Sequence, residues 1–238
     1  MENAMIADNV NAVLTQVRRA EEAAGRPAGS VRLLAVSKFH PAESVLEAVR
    51  AGQLEFGENR VQEAAEKFNC VRQHAPQARL HIIGRLQRNK VKKAVEIASC
   101  IESVDRLELL QEINRRCEAA GKSMDILLEF HTGEESKGGF PDLDSLMRAL
   151  AHCADGKAPY VRPAGMMTMA PLVQEEAPIR AAFRKAREAL AAARREFPQY
   201  ALETLSMGMS GDFRIAIEEG STEVRIGTAI FGARAYSV

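Results

Sequence analysis

A short apolar run followed by a helical segment recurs eight times along this chain. The first such unit is VRLLAVSK followed by AESVLEAVRAG, and the last is EVRIG followed by TAIFGAR. Strands that are separated by one helix each pair in parallel through right-handed crossovers, and eight such units usually close into a barrel. We therefore predict the α/β class with a (β/α)8 TIM barrel. An open doubly wound sheet is the alternative, which the number of repeats disfavours.

An additional amphipathic segment precedes the first unit. Its apolar residues, among them Val10 and Val17, recur at helical intervals, and Gly25 follows as a stop signal. We expect this extra N-terminal helix to pack on the barrel. Because no linker, low-complexity tract or change in composition divides the 238 residues, residues 1–238 are predicted to form a single domain.

The charge balance limits the partners of the chain. Thirty-two basic and thirty-two acidic residues cancel, so the molecule has no general attraction for nucleic acid or anionic membranes. The sequence shows neither a signal-peptide pattern at its start nor a long apolar run. Its four cysteines form no CxxC pair and have no zinc-ligand spacing, which is typical of free thiols in a reducing compartment. We predict a cytoplasmic protein without a metal site.

Lys38 ends the first apolar strand. In a TIM barrel this position lies at the C-terminal mouth, where functional groups gather. Partial burial lowers the pKa of a lysine and so favours the free amine, which can attack an aldehyde. Lys38 is therefore a candidate Schiff-base lysine. A lysine that only extends from the rim into water is the alternative, and position alone favours that alternative.

Two segments near the C-terminus have the features of a phosphate site. SMGMSGD and VRIGTAIFG each place glycine and a hydroxyl residue at the start of a helix, directly after a strand. The loops after the seventh and eighth strands of such barrels commonly bind phosphate. The candidate ligands are Ser210, Gly211, Gly227 and Thr228. Glycines also end strands for steric reasons, so neither segment is strong evidence alone.

Arg225 lies within the eighth strand, where it is expected to face the barrel interior or its rim. A buried guanidinium needs a partner. That partner is either a ring nitrogen or phosphate of a ligand, or a carboxylate such as Glu129 or Glu203. Further along the chain, Asp105 and Glu108 have the spacing of a helix-capping pair, and Gly121 occupies a typical helix end.

The run RLQRNKVKK contains five basic residues and no acid, and it follows the third strand. Its cations are Arg85, Arg88, Lys90, Lys92 and Lys93. They could guide an anionic phosphate ester or contact a partner protein. A solvated helix face is the alternative, and it is favoured for a short charged run on a neutral chain.

Eight segments together resemble the YggS/PROSC family of pyridoxal phosphate homeostasis proteins. They are AVSKFHP, FGENRVQEA, HIIGRLQRNK, ESVDRL, GEESKGGF, GMMTMAP, LSMGMSGDFRIAI and GSTEVRIGTAIFGAR. They occur in the order of the family from about Val31 to Tyr236. The combination of AVSK with MSxD and VRIGTAIFG is highly specific.

The resemblance implies a fold similar to the N-terminal barrel of bacterial alanine racemase. It also implies pyridoxal 5′-phosphate (PLP) as cofactor, held as a Schiff base on the lysine that matches Lys38. Matched motif by motif, the resemblance places Ser210, Gly227 and Thr228 at the phosphate, Arg225 at the pyridine nitrogen, Asn59 beside the cofactor, and Met166 and Met169 in the pocket lining.

The resemblance favours a cofactor carrier over an enzyme. An arginine at the pyridine nitrogen keeps it unprotonated and weakens the ring as an electron sink. Racemases of this kind take one acid/base from a tyrosine of an additional β-domain, whereas Tyr160, Tyr200 and Tyr236 lie in no motif. We predict a monomer that acts in PLP homeostasis and delivers PLP to apo forms of PLP-dependent enzymes. A weak racemase or another PLP-dependent enzyme, and an adaptor that uses the basic run, are the alternatives.

Several positions depart from the usual family pattern. They are Arg85, Arg88, Phe130, Gly138 and Arg214. None of them removes the lysine or the phosphate loop. We expect Phe130 and Arg85 to alter the lining and the mouth of the pocket. Whether Lys137 supplies a second amine is left open.

Overall fold

The computed structural model describes residues 2–133 and 138–232. Eight parallel strands form a closed barrel in chain order. The ring closes where β1 pairs with β8, with Leu34 opposite Arg225. The strands are β1 (Arg32–Val36), β2 (Glu55–Glu58), β3 (Arg79–Ile82), β4 (Cys100–Val104), β5 (Met124–Glu129), β6 (Val161–Met167), β7 (Thr204–Ser206) and β8 (Glu223–Ile226). The predicted TIM barrel is confirmed, and closure excludes the open sheet.

Helices alternate with the strands and cover the outside of the barrel. They are α1 (Glu2–Ala23), α2 (Ala42–Arg50), α3 (Val61–His74), α4 (Val91–Ile97), α5 (Leu107–Ala119), α6 (Leu143–Ala154), α7 (Glu176–Glu196), α8 (Phe213–Glu218) and α9 (Thr228–Phe231). A short 3-10 turn, Arg88–Lys90, precedes α4. Helix α7, for example, buries the apolar stripe that contains Ile179, Phe183 and Leu190, and it contacts β6 and β7. Within the described residues, no helix is both long and apolar enough to cross a membrane.

The predicted extra helix is present as α1. Val10, Val13 and Val17 are buried on one face of it, which packs against α2, α8 and α9. The Asn9 amide donates to the carbonyl of Ile230 at 2.9 Å. This hydrogen bond fixes α1 to the helix that follows β8.

The inside of the barrel is polar. A small apolar cluster of Cys100, Leu127 and Met167 lies there, whereas the large apolar core lies between strands and helices. Side chains alternate between the two faces of a strand, so the inward positions carry the buried polar groups. The short strands therefore bring charges from distant parts of the sequence together inside the ring.

The predicted capping pair at α5 is wrong. Arg106 is the N-cap residue, and no side chain caps the helix. Asp105 instead pairs with the guanidinium of Arg106 and lines the cavity described below. Gly121 has a φ of 62°, which confirms the predicted left-handed helix end.

Candidate functional site

A cavity of about 620 Å³ opens at the C-terminal end of the barrel. All eight strands, or the loops that follow them, contribute lining residues. They include Lys38 after β1, Asn59 after β2, Arg85 after β3, Asp105 after β4, Glu129 of β5, Met167 of β6, Ser210 after β7 and Arg225 of β8. Residues predicted from distant motifs thus meet in one place.

The turn that carries Lys38 is held from both sides. Next to Lys38, the Ser37 hydroxyl donates to Glu58 Oε1 at 2.7 Å, and the Phe39 amide donates to Glu63 Oε1 at 2.6 Å. Lys67 Nζ joins this network at 2.7 Å from both Glu58 Oε1 and the Ser37 carbonyl.

Phe39 itself has a φ of 68°, in the left-handed region that non-glycine residues seldom occupy. The network therefore holds the backbone on which Lys38 is mounted in an unusual conformation. Glu58, Glu63 and Lys67 were not singled out as site residues from the sequence, because their role depends on contacts among β2, α3 and the turn after β1.

Gly227 and Thr228 line the cavity where β8 ends, and Ser210 lines it after β7. A Cβ atom at Gly227 would lie 2.8 Å from the carbonyl oxygen of Val36. Glycine is therefore required for the close approach of this turn to β1. In the other loop, Asp212 accepts a hydrogen bond from the Met209 amide at 2.5 Å and fixes the backbone before Ser210.

Gly211 does not line the cavity. It is exposed, and a Cβ atom there would meet nothing within 4 Å. Its predicted role as a phosphate ligand therefore has no support from the lining of the cavity and stays a prediction.

Arg225 is buried and points its guanidinium along the inside of the barrel. One terminal nitrogen donates to the Ser206 carbonyl at 2.7 Å and to the Ser206 hydroxyl at 2.9 Å, and the other donates to the Thr168 carbonyl at 2.8 Å. Among the described residues, neither Glu129 nor Glu203 forms an ion pair with it. The predicted carboxylate partner is absent from this set, so neutral oxygens hold a full positive charge beside the cavity.

Met166 does not line the pocket. It is fully buried in the layer between strands and helices, whereas Met167 and Met169 line the cavity. The prediction paired Met166 with Met169, but residues three apart cannot share one face of an extended strand. Gly165 adds an irregularity, because the β5–β6 register shifts there and a Cβ at Gly165 would overlap the Thr204 carbonyl.

Asn59 lies at the junction of this cavity with a second opening. A Cβ atom at Gly84 would overlap the Asn59 backbone, so the glycine allows the ends of β2 and β3 to come together. The Ser103 hydroxyl donates to the Gly84 carbonyl at 2.6 Å and holds the same turn against β4.

Two carboxylates in the cavity were missed as site residues. Burial and the negative charge of Asp105 raise the pKa of Glu129 to about 7, although Arg225 and Arg85 act in the opposite direction. Gly138 lies against it, because a Cβ atom there would be 3.2 Å from Glu129 Oε1. Glu129 is therefore a proton-exchanging group near neutral pH, directly on the cavity wall.

The departures from the family pattern have different outcomes. Arg85 lines the mouth of the cavity, as expected. Phe130 does not line it: its ring is buried in the outer core, and Lys185 Nζ lies 5.3 Å from the ring centre. Arg214 is exposed and stacks over Phe213. Lys137 lies outside the described residues.

The second opening adjoins the cavity and has a volume of about 740 Å³. It shares Asn59 and Arg85 with the cavity. Its five basic residues define what we call the basic groove: Arg60, Arg85, Arg88, Lys90 and Arg106. Lys92 and Lys93 of the same sequence run lie outside the groove, on exposed positions of α4.

Comparison with known proteins decides the family. The profile described as "Alanine racemase, N-terminal domain" matches residues 9–235. A relative from Vibrio alginolyticus, named "Pyridoxal phosphate homeostasis protein", is 39% identical over 98% of this chain and 99% of its own length. The chain belongs to the alanine racemase N-terminal domain family. The resemblance inferred from the sequence motifs is confirmed.

Solved structures agree with this family. The structure of PipY from Synechococcus elongatus with PLP bound matches with a TM-score of 0.84 and 37% identity, and the match covers 95% of this chain and 100% of PipY. An alanine racemase from Streptomyces coelicolor matches with a TM-score of 0.72 and 22% identity over 97% of this chain and 58% of the racemase. The second likeness concerns the fold alone.

Proposed function

We propose that this protein binds PLP covalently through Lys38 and acts in PLP homeostasis or delivery without a committed reaction of its own. The observation that carries the proposal is the convergence of Lys38, Arg225 and the loops after β7 and β8 on one cavity. A relative of similar sequence and fold contains PLP in its structure.

The cavity has the size and the polar groups that this cofactor requires. Its volume of about 620 Å³ falls within the range of roughly 300–1,000 Å³ that is usual for small-molecule sites. The hydroxyl groups of Ser210 and Thr228, with the backbone at Gly227, would hold the phosphate. Lys38 would supply the amine, and Asn59, Met167 and Met169 would contact the ring.

The position of Arg225 supports a role in which the bound cofactor has limited reactivity. PLP stabilises carbanions most strongly when its ring nitrogen is protonated. The Arg225 guanidinium is held by the neutral carbonyls of Ser206 and Thr168. Placed against the ring nitrogen, this cation would oppose protonation there. The side chain would then bind and orient the cofactor while limiting its reactivity.

The test is the visible absorption of lysine-bound PLP. Purified protein that has been loaded with PLP is expected to show this band, and Lys38→Ala is expected to lose it. Lys92→Ala, which removes an exposed lysine outside the cavity, is the matched control and should keep it. Borohydride reduction followed by peptide mass mapping should place the label on Lys38. An unchanged band in Lys38→Ala would overturn the assignment.

One observation keeps a second candidate, a weak amino-acid racemase. Glu129 lines the cavity and has a pKa of about 7, so it can exchange a proton near neutral pH. Incubation of the PLP-loaded protein with L-alanine or D-alanine separately would measure loss of optical purity. If turnover is well above that of free PLP and is lost in Glu129→Gln, the protein is a racemase and the carrier proposal is wrong.

Delivery of PLP to apo-enzymes and the monomeric state stay predictions. Transfer is measured by mixing PLP-loaded protein with an apo-enzyme and following the recovery of that enzyme's activity. A rate that exceeds the rate of spontaneous PLP release would support direct delivery. Equal rates would reduce the role to storage.

A further inference from the structure

We propose that the basic groove is a second anion site, which binds the phosphate group of a small phosphate monoester beside the cofactor cavity. The proposal goes beyond the PLP site, because the groove residues other than Asn59 and Arg85 do not line the cofactor cavity. It gives a function to the basic run that the cofactor leaves unexplained.

The composition of the groove matches an anion. Five of its ten lining residues are cationic, and the other five are uncharged: Asn59, Val61, Gln62, Leu86 and Gln87. Guanidinium groups bind phosphate through paired, charge-assisted hydrogen bonds. A phosphate dianion would therefore meet donors on several sides and no repelling carboxylate on the groove wall.

The cations of the groove are poorly neutralised by the protein itself. Within the described part of the chain, Arg60, Arg85 and Lys90 form no ion pair with a carboxylate, whereas Arg106 pairs with Asp105. Arg88 lies 3.6 Å from Glu112 Oε2, but both oxygens of that carboxylate already accept hydrogen bonds from Arg115 and Arg116. Of the three arginines around Glu112, Arg88 therefore has the longest contact with the carboxylate, and its side chain is 76% exposed.

A second arginine cluster shows that positive charge is not left unneutralised everywhere on the surface. Arg180, Arg184 and Arg187 on α7 all lie within 3.3 Å of oxygens of Glu219, and Arg180 also contacts Glu218 at 2.6 Å. Those charges are neutralised within the protein. The chain as a whole is neutral, so the groove is a local concentration of positive charge.

The position of the groove separates it from the expected cofactor phosphate. The groove follows β2, β3 and β4, whereas the phosphate candidates Ser210 and Thr228 follow β7 and β8. In the closed ring β3 lies four strands from β7 in either direction. The part of the groove that follows β3 therefore lies across the mouth from the loop that follows β7.

The size of the groove favours a small ligand over a polyanion. Its volume is about 740 Å³, which suits a small molecule. Nucleic acid is bound along an extended basic stripe with many phosphate contacts, whereas the five cations here border one opening of a chain without net charge. Arg60 stacks on Phe39, 5.7 Å from the ring centre, so this cation is held in place at the entrance.

Inorganic phosphate is the probe. The PLP-loaded protein, whose own phosphate site is filled, is titrated with phosphate by calorimetry in a phosphate-free buffer. We expect one saturable site. Arg88→Gln combined with Lys90→Gln should weaken it about tenfold or more, because two charge-assisted contacts are lost. The PLP absorption band should stay unchanged.

Lys92→Gln combined with Lys93→Gln is the matched control. It removes an equal number of positive charges from the neighbouring exposed face of α4. Because salt screens exposed charges at a distance, phosphate affinity should change less than about twofold. The single variant Arg88→Gln provides a further check if the first pair loses thermal stability. Equal weakening in both pairs, or no saturable binding in the wild type, would overturn the proposal.

Two further arms separate this proposal from others. A short single-stranded oligonucleotide that binds more tightly than phosphate, and through Arg88 and Lys90, would assign the groove to nucleic acid and contradict us. Phosphate titration of Lys38→Ala, in the presence and absence of PLP, tests whether phosphate binding in the groove depends on the covalent link between Lys38 and PLP. Failure of the Lys38 assignment and failure of the groove are therefore distinguishable.

Discussion

The two ends of the barrel hold buried carboxylates in opposite settings. At the C-terminal end, Glu129 and Asp105 line a cavity of about 620 Å³. At the N-terminal end, Glu55 and Glu223 border an opening of only about 80 Å³, together with His81. At the N-terminal end the carboxylates surround His81 and little space remains. At the C-terminal end the carboxylates and nearby cations line a cavity with room for a ligand.

The closed end is organised around His81. Its Nδ1 lies 2.6 Å from Glu102 Oε1, and its Nε2 lies 3.0 Å from Glu55 Oε2, the latter an ion-pair contact without hydrogen-bond geometry. Burial alone would lower the pKa of His81, but Glu102 and Glu55 raise it to about 10. The ring is therefore an imidazolium between two carboxylates.

A metal ion is a poor occupant for this end. His81, Glu102 and Glu223 lie close enough together to offer ligand atoms. A metal, however, binds neutral imidazole through an unprotonated nitrogen. Both nitrogens of His81 face carboxylates already, so the cluster is better explained as an internal charge balance.

Replacing His81 by leucine is expected to give the largest effect. His81→Leu leaves the buried carboxylates of Glu102 and Glu223, and the partly buried carboxylate of Glu55, without their central cation. Removal of one partner from a buried charge cluster typically costs about 3–5 kcal/mol. Urea unfolding at neutral pH measures the loss. His74→Leu, at an exposed position, is the control and should change stability by less than about 0.5 kcal/mol. Equal stability of both variants would contradict the charge-balance interpretation.

Glu223 should make stability depend on pH. Burial and the charge of Glu102 raise its pKa to about 7, although His81 and Arg32 act in the opposite direction. A carboxyl group whose pKa rises on folding stabilises the fold most below its ordinary pKa, and this contribution is lost as pH rises through 7. The shift corresponds to about 3 kcal/mol of unfolding free energy.

Glu223→Gln should remove that loss, because glutamine does not ionise. We expect its unfolding free energy to fall less than that of the wild type between pH 5 and pH 8, when both are followed by urea unfolding. Glu203→Gln, at a neighbouring exposed position, should keep the wild-type pH profile. Parallel profiles for all three proteins would show that Glu223 is not the group responsible.

The comparison of the two ends also explains what the sequence could predict. The barrel followed from eight repeated units, because each unit carries a local pattern. Lys38, Gly227 and Thr228 could be proposed because each stands at a strand end beside a recognisable turn. The family resemblance added Asn59 and the role of Arg225.

The closed end has no such local signal. His81, Glu102 and Glu223 come from three strands, and only the register of the barrel brings them together. Met166 and Met167 illustrate the same limit at the other end, because the face that each residue takes depends on the irregularity at Gly165. Apolar residues were enough to predict the strand, but they did not show which of its side chains face the inside of the barrel.

Ser206 joins the two ends, and its removal gives the smallest expected effect. Its hydroxyl donates to Glu102 Oε2 at 2.7 Å and accepts from Arg225 at 2.9 Å. Ser206→Ala deletes both hydrogen bonds inside the barrel and should lower stability by about 1–2 kcal/mol, as measured by urea unfolding. Ser123→Ala, at an exposed position, is the control.

The absorption of the PLP-loaded variant then tests whether the ends are independent. Arg225 keeps the Ser206 and Thr168 carbonyls as acceptors, at 2.7 and 2.8 Å, when the hydroxyl is lost. The guanidinium should therefore stay in place, and the band should not move. A shifted band in Ser206→Ala would mean that the charge state of the closed end reaches the cofactor through this hydroxyl. In that case the barrel interior acts as one connected network, and the separation of a structural end from a ligand-binding end is wrong.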